Sequence, residues 1–322
     1  MRLLSCTVGL LLLPSLAHSQ GLLSTQPQPA PQPTRPQPKV IQSSRPSNQP
    51  RVIDSDPVAV ASTLVQVGKI NEALKTLDRA LLQSPKNTKI LNARAGIRAL
   101  AGLGELAKQD YDEVLTLDPK DSRAWHQRGW LLLTLGRPVD AVRDFDQALV
   151  LVPNQRPYDW QRGIACYYAG QFEEGKKQFE LHQSVNSQDV ENAVWHFLCV
   201  SRLEGVESAR KRIIPITQDP RVPLAEVQAL FAGTGSEEAV LTAAKERSGQ
   251  RSKEAHFYAH LYLGLYFEAL GQPEASAAHM LKATTDFDLP GLMGDVARAH
   301  RLLRSKPSSA STSPAASAAS PK

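Results

Sequence analysis

The feature that most constrains this chain is a recurrence every 34 residues. From Ser122 to Gln155 the run SRAWHQRGWLLLTLGRPVDAVRDFDQALVLVPNQ reads as two short amphipathic helices joined at Gly136 and followed by Pro153. Trp125, Gly129, Gly136, Ala141, Phe145, Ala148 and Pro153 stand at positions 4, 8, 15, 20, 24, 27 and 32 of the unit. Small residues at Gly129, Ala141 and Ala148 let the two helices approach closely, while Trp125 and Phe145 fill the space beside them. One such hairpin cannot bury its own apolar face, so it requires neighbours.

The neighbours are present. Copies span 54–87, with Ala61, Gly68, Ala73, Leu77, Ala80 and Pro85 in the same places, and 88–121, with Ala95, Gly102, Ala107, Tyr111 and Pro119. A fourth copy, 156–189, keeps Gly163, Gly170 and Phe179, and a fifth begins near Glu191. The period breaks over 217–249, where Ser236 precedes two glutamates as a helix N-cap, and returns around Gly264, Gly271 and Ala283. A last helix over 292–303 is expected to cover the open end. The unit resembles a tetratricopeptide repeat (TPR). That resemblance implies an all-α fold, a right-handed TPR helical-hairpin solenoid over 54–304 with a C-terminal capping helix, its repeats regular over 54–189 and diverged over 190–304.

The ends read differently. Arg2 precedes the apolar run LLSCTVGLLLLPSL, and Ala17 to Ser19 offers a small-x-small cleavage site, so residues 1–19 read as a secretory signal peptide. The expected location is periplasmic or secreted, with no transmembrane segment after cleavage, and Cys6 lies too early in the run to accept lipid. Much of the proline content, 23 residues in all, crowds into 20–53, a proline-rich linker expected to be extended and disordered. Its basic residues Arg35, Lys39, Arg45 and Arg51 suit either a plain spacer or contact with cell-wall polymer or an anionic surface. Residues 305–322 read as a disordered Ser/Ala/Pro-rich tail. A net charge of +5 with interspersed signs gives no argument for nucleic acid. Cys166 and Cys199 fall on first helices of successive hairpins, as small buried residues or as a disulfide pair.

Arginine recurs at position 7, as Arg94, Arg128 and Arg162. In an antiparallel hairpin that position stands level with position 23, which is Asp110 and Asp144 in the second and third copies. Arg94 with Asp110 and Arg128 with Asp144 are therefore expected to be structural ion pairs. Arg162 faces Gln178 and is expected to be free for a ligand. The first helices also carry a polar and aromatic set on the expected concave face, namely Asn92, Arg123, His126, Trp130, Trp160, Tyr167, Trp195, His196 and Arg202. With Arg162 these form a candidate protein- or peptide-binding groove, since rigid aromatics beside arginine make binding hot spots. His256 and His260 share a helix face at i, i+4, but Phe257 stands where an HExxH site needs glutamate, so packing is the expected role and no metal is assigned. There is no G-x-S-x-G, Walker loop or GxGxxG, and the chain reads as having no catalytic residues and no cofactor.

A second, narrower resemblance lies in the succession of stretches. WQRGIACYYAGQFEEG from Trp160, AVWHFL from Ala193, the aperiodic segment and HFYAHLYLGLYFEALGQPEASAAHMLKA from His256 together resemble the NlpI-type periplasmic TPR lipoproteins. This implies a homodimeric adaptor holding a murein endopeptidase and a processing protease near each other. The expected function is accordingly a non-enzymatic adaptor or scaffold of the cell envelope that binds a protein or peptide segment in its concave groove. The alternative is a structural envelope protein that self-assembles and contacts cell-wall polymer through its basic arm.

Overall fold

The computed structural model describes residues 56–305, and every regular element among them is helical. The expected signal peptide, all of the expected proline-rich linker and the tail beyond Ser305 lie outside the described residues. Five consecutive hairpins come first: α1 (Pro57–Gln66) with α2 (Ile70–Gln83), α3 (Thr88–Leu100) with α4 (Gly104–Leu117), α5 (Ser122–Thr134) with α6 (Pro138–Leu151), α7 (Trp160–Tyr168) with α8 (Phe172–His182), and α9 (Val190–Glu204) with the short α10 (Val206–Lys211). A 3-10 turn, Pro153–Tyr158, joins α6 to α7. The two short helices α11 (Leu224–Phe231) and α12 (Glu237–Lys245) interrupt the series before α13 (Gln250–Ala269) pairs with α14 (Pro273–Thr284), and α15 (Leu292–Ser305) ends the described chain.

Each hairpin is punctuated the same way. Asp56, Asn87, Asp121, Asp159 and Asp189 cap the first helices, each side chain accepting a hydrogen bond from a backbone N–H of the first turn. The inner turns need no such cap, because Gly68, Gly102, Gly136 and Gly170 take φ between 72° and 76°. In that left-handed conformation the next N–H bonds back five residues, as from Arg137 to the Leu132 carbonyl at 2.9 Å. The helix–helix contact needs small residues too: a Cβ on Gly163 would lie 2.6 Å from Cζ of Phe179.

The buried residues form two clusters that meet within α5. One runs from Ala61 to Leu131 and holds Leu77, Tyr111 and Val114. The other runs from Leu132 to Ala297 and is richer in rings, with Phe145, Tyr167, Phe179, Trp195, Phe197, Phe231, Phe257 and Tyr262 buried. Cys166 and Cys199 both sit in this second cluster as free thiols, Cys166 pushed up to about 11 by burial. Among the described residues no helix is long and apolar enough to cross a membrane.

The terminal helix does more than cover the end of the solenoid. It packs on α14 and also runs back to α5, where Asp295 Oδ2 accepts a hydrogen bond from Trp130 Nε1 at 3.1 Å. Further along, His300 Nδ1 lies 3.1 Å from the Tyr168 hydroxyl, and Arg304 reaches Glu268 of α13 at 2.5 Å. Trp130 and Tyr168 belong to first helices, which line the inner side of the superhelix, so α15 lies within the groove.

Candidate functional site

The arginine row at position 7 is an ion ladder that links hairpins as well as bracing them. Arg128 donates from Nε and a terminal nitrogen to both oxygens of Asp144, at 2.7 and 2.9 Å, and from its other terminal nitrogen to Asp112 at 2.7 Å. Arg94 does the same with Asp110, at 3.0 and 2.7 Å, and with Asp78 at 2.7 Å. The second partner in each case stands 16 residues earlier, on the preceding hairpin. Such planar two-sided recognition is what guanidinium geometry favours.

Arg162 belongs to this ladder and is not free. Its Nε donates to Asp146 of the preceding hairpin at 2.6 Å, it is only 6% exposed, and Gln178 turns away to donate to the Arg156 carbonyl at 2.7 Å. The expectation of an open guanidinium overlooked the inter-hairpin acid. One repeat later His196, 5% exposed, takes the arginine's place and meets Glu180 at 3.4 Å. Burial lowers its pKa against the pull of that carboxylate. His196 is thus also a packing residue and not part of an open groove surface.

Tyr167 and Trp195 are likewise corrected from groove to core, at 1% and 2% exposed. Tyr167 donates to Glu268 at 3.0 Å and packs edge-on against Trp195, whose ring centroid is 5.6 Å away. The physical reason is that α13 and α15 cover the inner face of α7 and α9. Arg202 lies over the Phe172 ring at 4.8 Å. On α3 and α5, Asn92 donates to the cap Asp121 at 3.0 Å, and His126 lies 3.3 Å from the cap Asp159, so both tie one hairpin to the next. Arg123 is exposed, and Trp130 and Trp160 are half-buried, edge to face at 6.0 Å between ring centroids.

Where α15 begins, the groove stays open as a cavity of about 420 Å³. It is lined by the rings of Trp160, Phe179, Trp195, Phe257 and Tyr258 and by the lead-in and first turn of α15, with Leu289, Pro290 and Met293. Asp189, Glu191, Asn192 and Arg221 supply polarity at one side. Two of its lining residues each keep one buried polar atom without a partner, the indole N–H of Trp195 and the amide oxygen of Asn192. Orphaned buried groups of this kind are rare because each costs free energy unless a guest or water answers it. Sequence reading found Trp160 and Trp195 but missed Glu191 at the start of the fifth copy, Arg221 in the aperiodic segment, and Tyr258 on α13 where the period returns.

His256 and His260 do not form a site together. His256 Nδ1 meets the Ser252 carbonyl at 2.7 Å, whereas His260 meets His279 at 2.9 Å between Nδ1 atoms; His256 and His260 each stack on Phe287. Among the described residues no group of three or more His, Cys, Asp or Glu side chains is placed to hold a metal ion.

Two family models described as tetratricopeptide repeat match residues 59–122 and 110–143. No curated protein matches the chain. Among solved structures, a tetratricopeptide repeat protein from Parabacteroides merdae ATCC 43184 is 16% identical, covering 77% of this chain and 97% of its own, with a TM-score of 0.51. PilW, described as a widely conserved type IV pilus biogenesis factor, is 17% identical over 74% of this chain and 96% of its own, at a TM-score of 0.42. YrrB, described as a TPR protein with an unusual peptide-binding site, is 16% identical over 59% of this chain and 90% of its own, at 0.46. Identities this low speak to fold alone. Regular hairpins, left-handed turn glycines and the two matching models agree: the chain carries tetratricopeptide repeats.

Proposed function

We propose that this protein is a non-enzymatic adaptor that holds a polypeptide segment of a partner in the part of its groove that α15 leaves open. Interaction with proteins or peptides is the general use of this fold. The observation that carries the reading here is the cavity, whose wall combines half-buried aromatic rings with the unanswered Trp195 N–H and Asn192 oxygen. A backbone amide carries the acceptor and the donor that these two buried atoms lack. Aromatic anchors beside such groups are the usual centre of a binding hot spot.

The signal-peptide pattern of residues 1–19 supports a place in the periplasm or the exterior, and the narrower family resemblance adds an envelope role and a homodimer to the proposal. The coupling of a murein endopeptidase to a processing protease rests on that resemblance alone. The test is capture from envelope extract on the immobilised full chain. Wild type retains a partner, the double variant Trp160→Ala, Tyr258→Ala loses it, and Asn92→Ala, Arg123→Ala keeps it. Retention unchanged in the Trp160 and Tyr258 variant contradicts the assignment of the cavity.

A further inference from the structure

The polar side of the cavity is more specific than a general peptide site requires. Arg221 is surrounded by three carboxylates, reaching Asp189 and Asp219 at 2.6 Å each and Glu191 more closely still. Glu191 also accepts a hydrogen bond from the Tyr262 hydroxyl at 2.6 Å. Asp189 and Asp219 also accept from the backbone N–H groups of Glu191 and Val190, but the three acids outnumber the one cation, and of the three Asp189 and Glu191 line the cavity. Burial, with Asp189 and Asp219 nearby, outweighs Arg221 and pushes the Glu191 carboxyl up to about 7. A carboxyl in that position ionises fully once a second cation comes close.

Three demands thus converge on one guest. The acids ask for positive charge, the rings of Trp160 and Tyr258 ask for an apolar or planar stem, and the orphaned Trp195 and Asn192 atoms ask for an adjacent acceptor and donor. Size adds a fourth. A helix about 10–12 Å across would fill about 420 Å³ in less than one turn, so the cavity takes a side chain and a short stretch of backbone rather than a helix. Anionic guests meet like charge, and uncharged ones leave the acid excess unanswered.

We infer that the cavity receives a single lysine or arginine side chain presented on a short stretch of backbone of a protein partner, with Asp189 and Glu191 facing its charge and Trp160 and Tyr258 its stem. This rests on the partner-binding reading above and adds the chemistry of the anchor. Cation–π contact with the rings strengthens such a guest as it loses water. Glu191 sets selectivity; the rings set overall grip.

The test is calorimetric titration of the full chain with capped pentapeptides, alanine except for a central arginine, lysine, norleucine or glutamate. The arginine and lysine peptides are expected to bind at least about tenfold more tightly than the norleucine peptide, a difference of about 1.4 kcal/mol, and the glutamate peptide not at all. Glu191→Gln is expected to remove the preference, and Trp160→Leu to weaken arginine and norleucine peptides alike. Because Glu191 contacts Arg221 and Tyr262, circular dichroism checks that the variant is folded, and Tyr258→Leu serves as a second route to the same site. Equal affinity for arginine and norleucine overturns the inference while leaving the adaptor reading standing, since partner capture tests that separately. Failure of every peptide to bind overturns it as well. A further full-chain variant, Arg35→Gln, Lys39→Gln, Arg45→Gln, Arg51→Gln, closes the remaining route. If basic peptides bind that variant alone, the chain's own arm is the guest, and the assignment to a partner is wrong.

Discussion

Arg128 and His196 occupy equivalent places two repeats apart, and they mark how the two halves of the solenoid differ. In the first half the arginine grips an aspartate of its own hairpin and another on the hairpin before. In the second half the intra-hairpin acid is replaced by Gln178, and the arginine then by a histidine that makes one contact with Glu180. What holds this later part is a core of rings, closed from the inside by α15. The regular half spends its inner polar positions joining repeats, as Asn92 and His126 do. Relaxing the ladder in the other half frees the chain to build a cavity there.

The comparison is broken most severely by removing its largest buried ring. Trp195→Ala is expected to cost about 3–5 kcal/mol, and its midpoint in guanidinium should drop while far-ultraviolet signal from the first three hairpins persists to higher denaturant. A single transition with the slope unchanged would show that the two clusters melt together.

Next comes the ladder. Asp144→Asn leaves Arg128 half-paired beneath a partly exposed surface, with an expected loss of about 2–3 kcal/mol. The double variant Arg128→Met, Asp144→Leu should recover part of that loss, so a double-mutant cycle with the two single changes reads the coupling directly. No coupling would mean that the ladder specifies register without contributing stability.

Acid should separate the halves as well. Burial outweighs the nearby Glu268 and holds His300 down at about 4, and it holds His260 down to about 4 with His279 adding to the shift. Unfolded, each takes up its proton near the ordinary histidine value. The stability they retain at neutral pH is therefore lost as pH falls from about 6.5 towards 4. Glu191 acts with the opposite sign, its contribution being present at low pH and lost as pH rises through about 7. Comparing His300→Asn with wild type cancels the Glu191 term. At pH 4.5 the wild type should have lost about 2 kcal/mol more than the variant, relative to pH 7.5.

The smallest effect is expected on the outer surface. Arg137 and Asp140 form an exposed i, i+3 pair at 2.8 Å, and Arg137→Ala should change stability by less than about 0.5 kcal/mol. A larger loss would show that the ladder residues are not the distinctive polar contacts of the first half.

The repeats themselves were legible because their signals are local and periodic. Gly68, Gly102, Gly136 and Gly170 mark turns that require positive φ, and Ala61, Ala95 and Gly129 mark contacts that admit nothing large. The inter-hairpin side of the ladder was also written at 34-residue spacing, in Asp78, Asp112, Asp146 and Glu180. Pairing each arginine only within its own hairpin hid it. The covering of Tyr167 and Trp195 had no such signal. Trp130 and Asp295 are 165 residues apart, and the amphipathic pattern of α15 says that one face must be buried without saying where. The cavity was half legible for the same reason, since Trp160 and Trp195 lie on the regular first helices, whereas Arg221 comes from the aperiodic segment and Tyr258 from α13, which meets α9 only through the tertiary fold.

The claim that the first half is a brace and the second half the binding region is tested most directly by hydrogen exchange on the full chain, with and without the partner retained from envelope extract. New protection is expected in 186–195, 257–262 and 289–294, the segments around the cavity, with none on the inner helices 88–100 and 122–134. Protection gained on those two helices while the cavity segments stay unchanged would contradict the account.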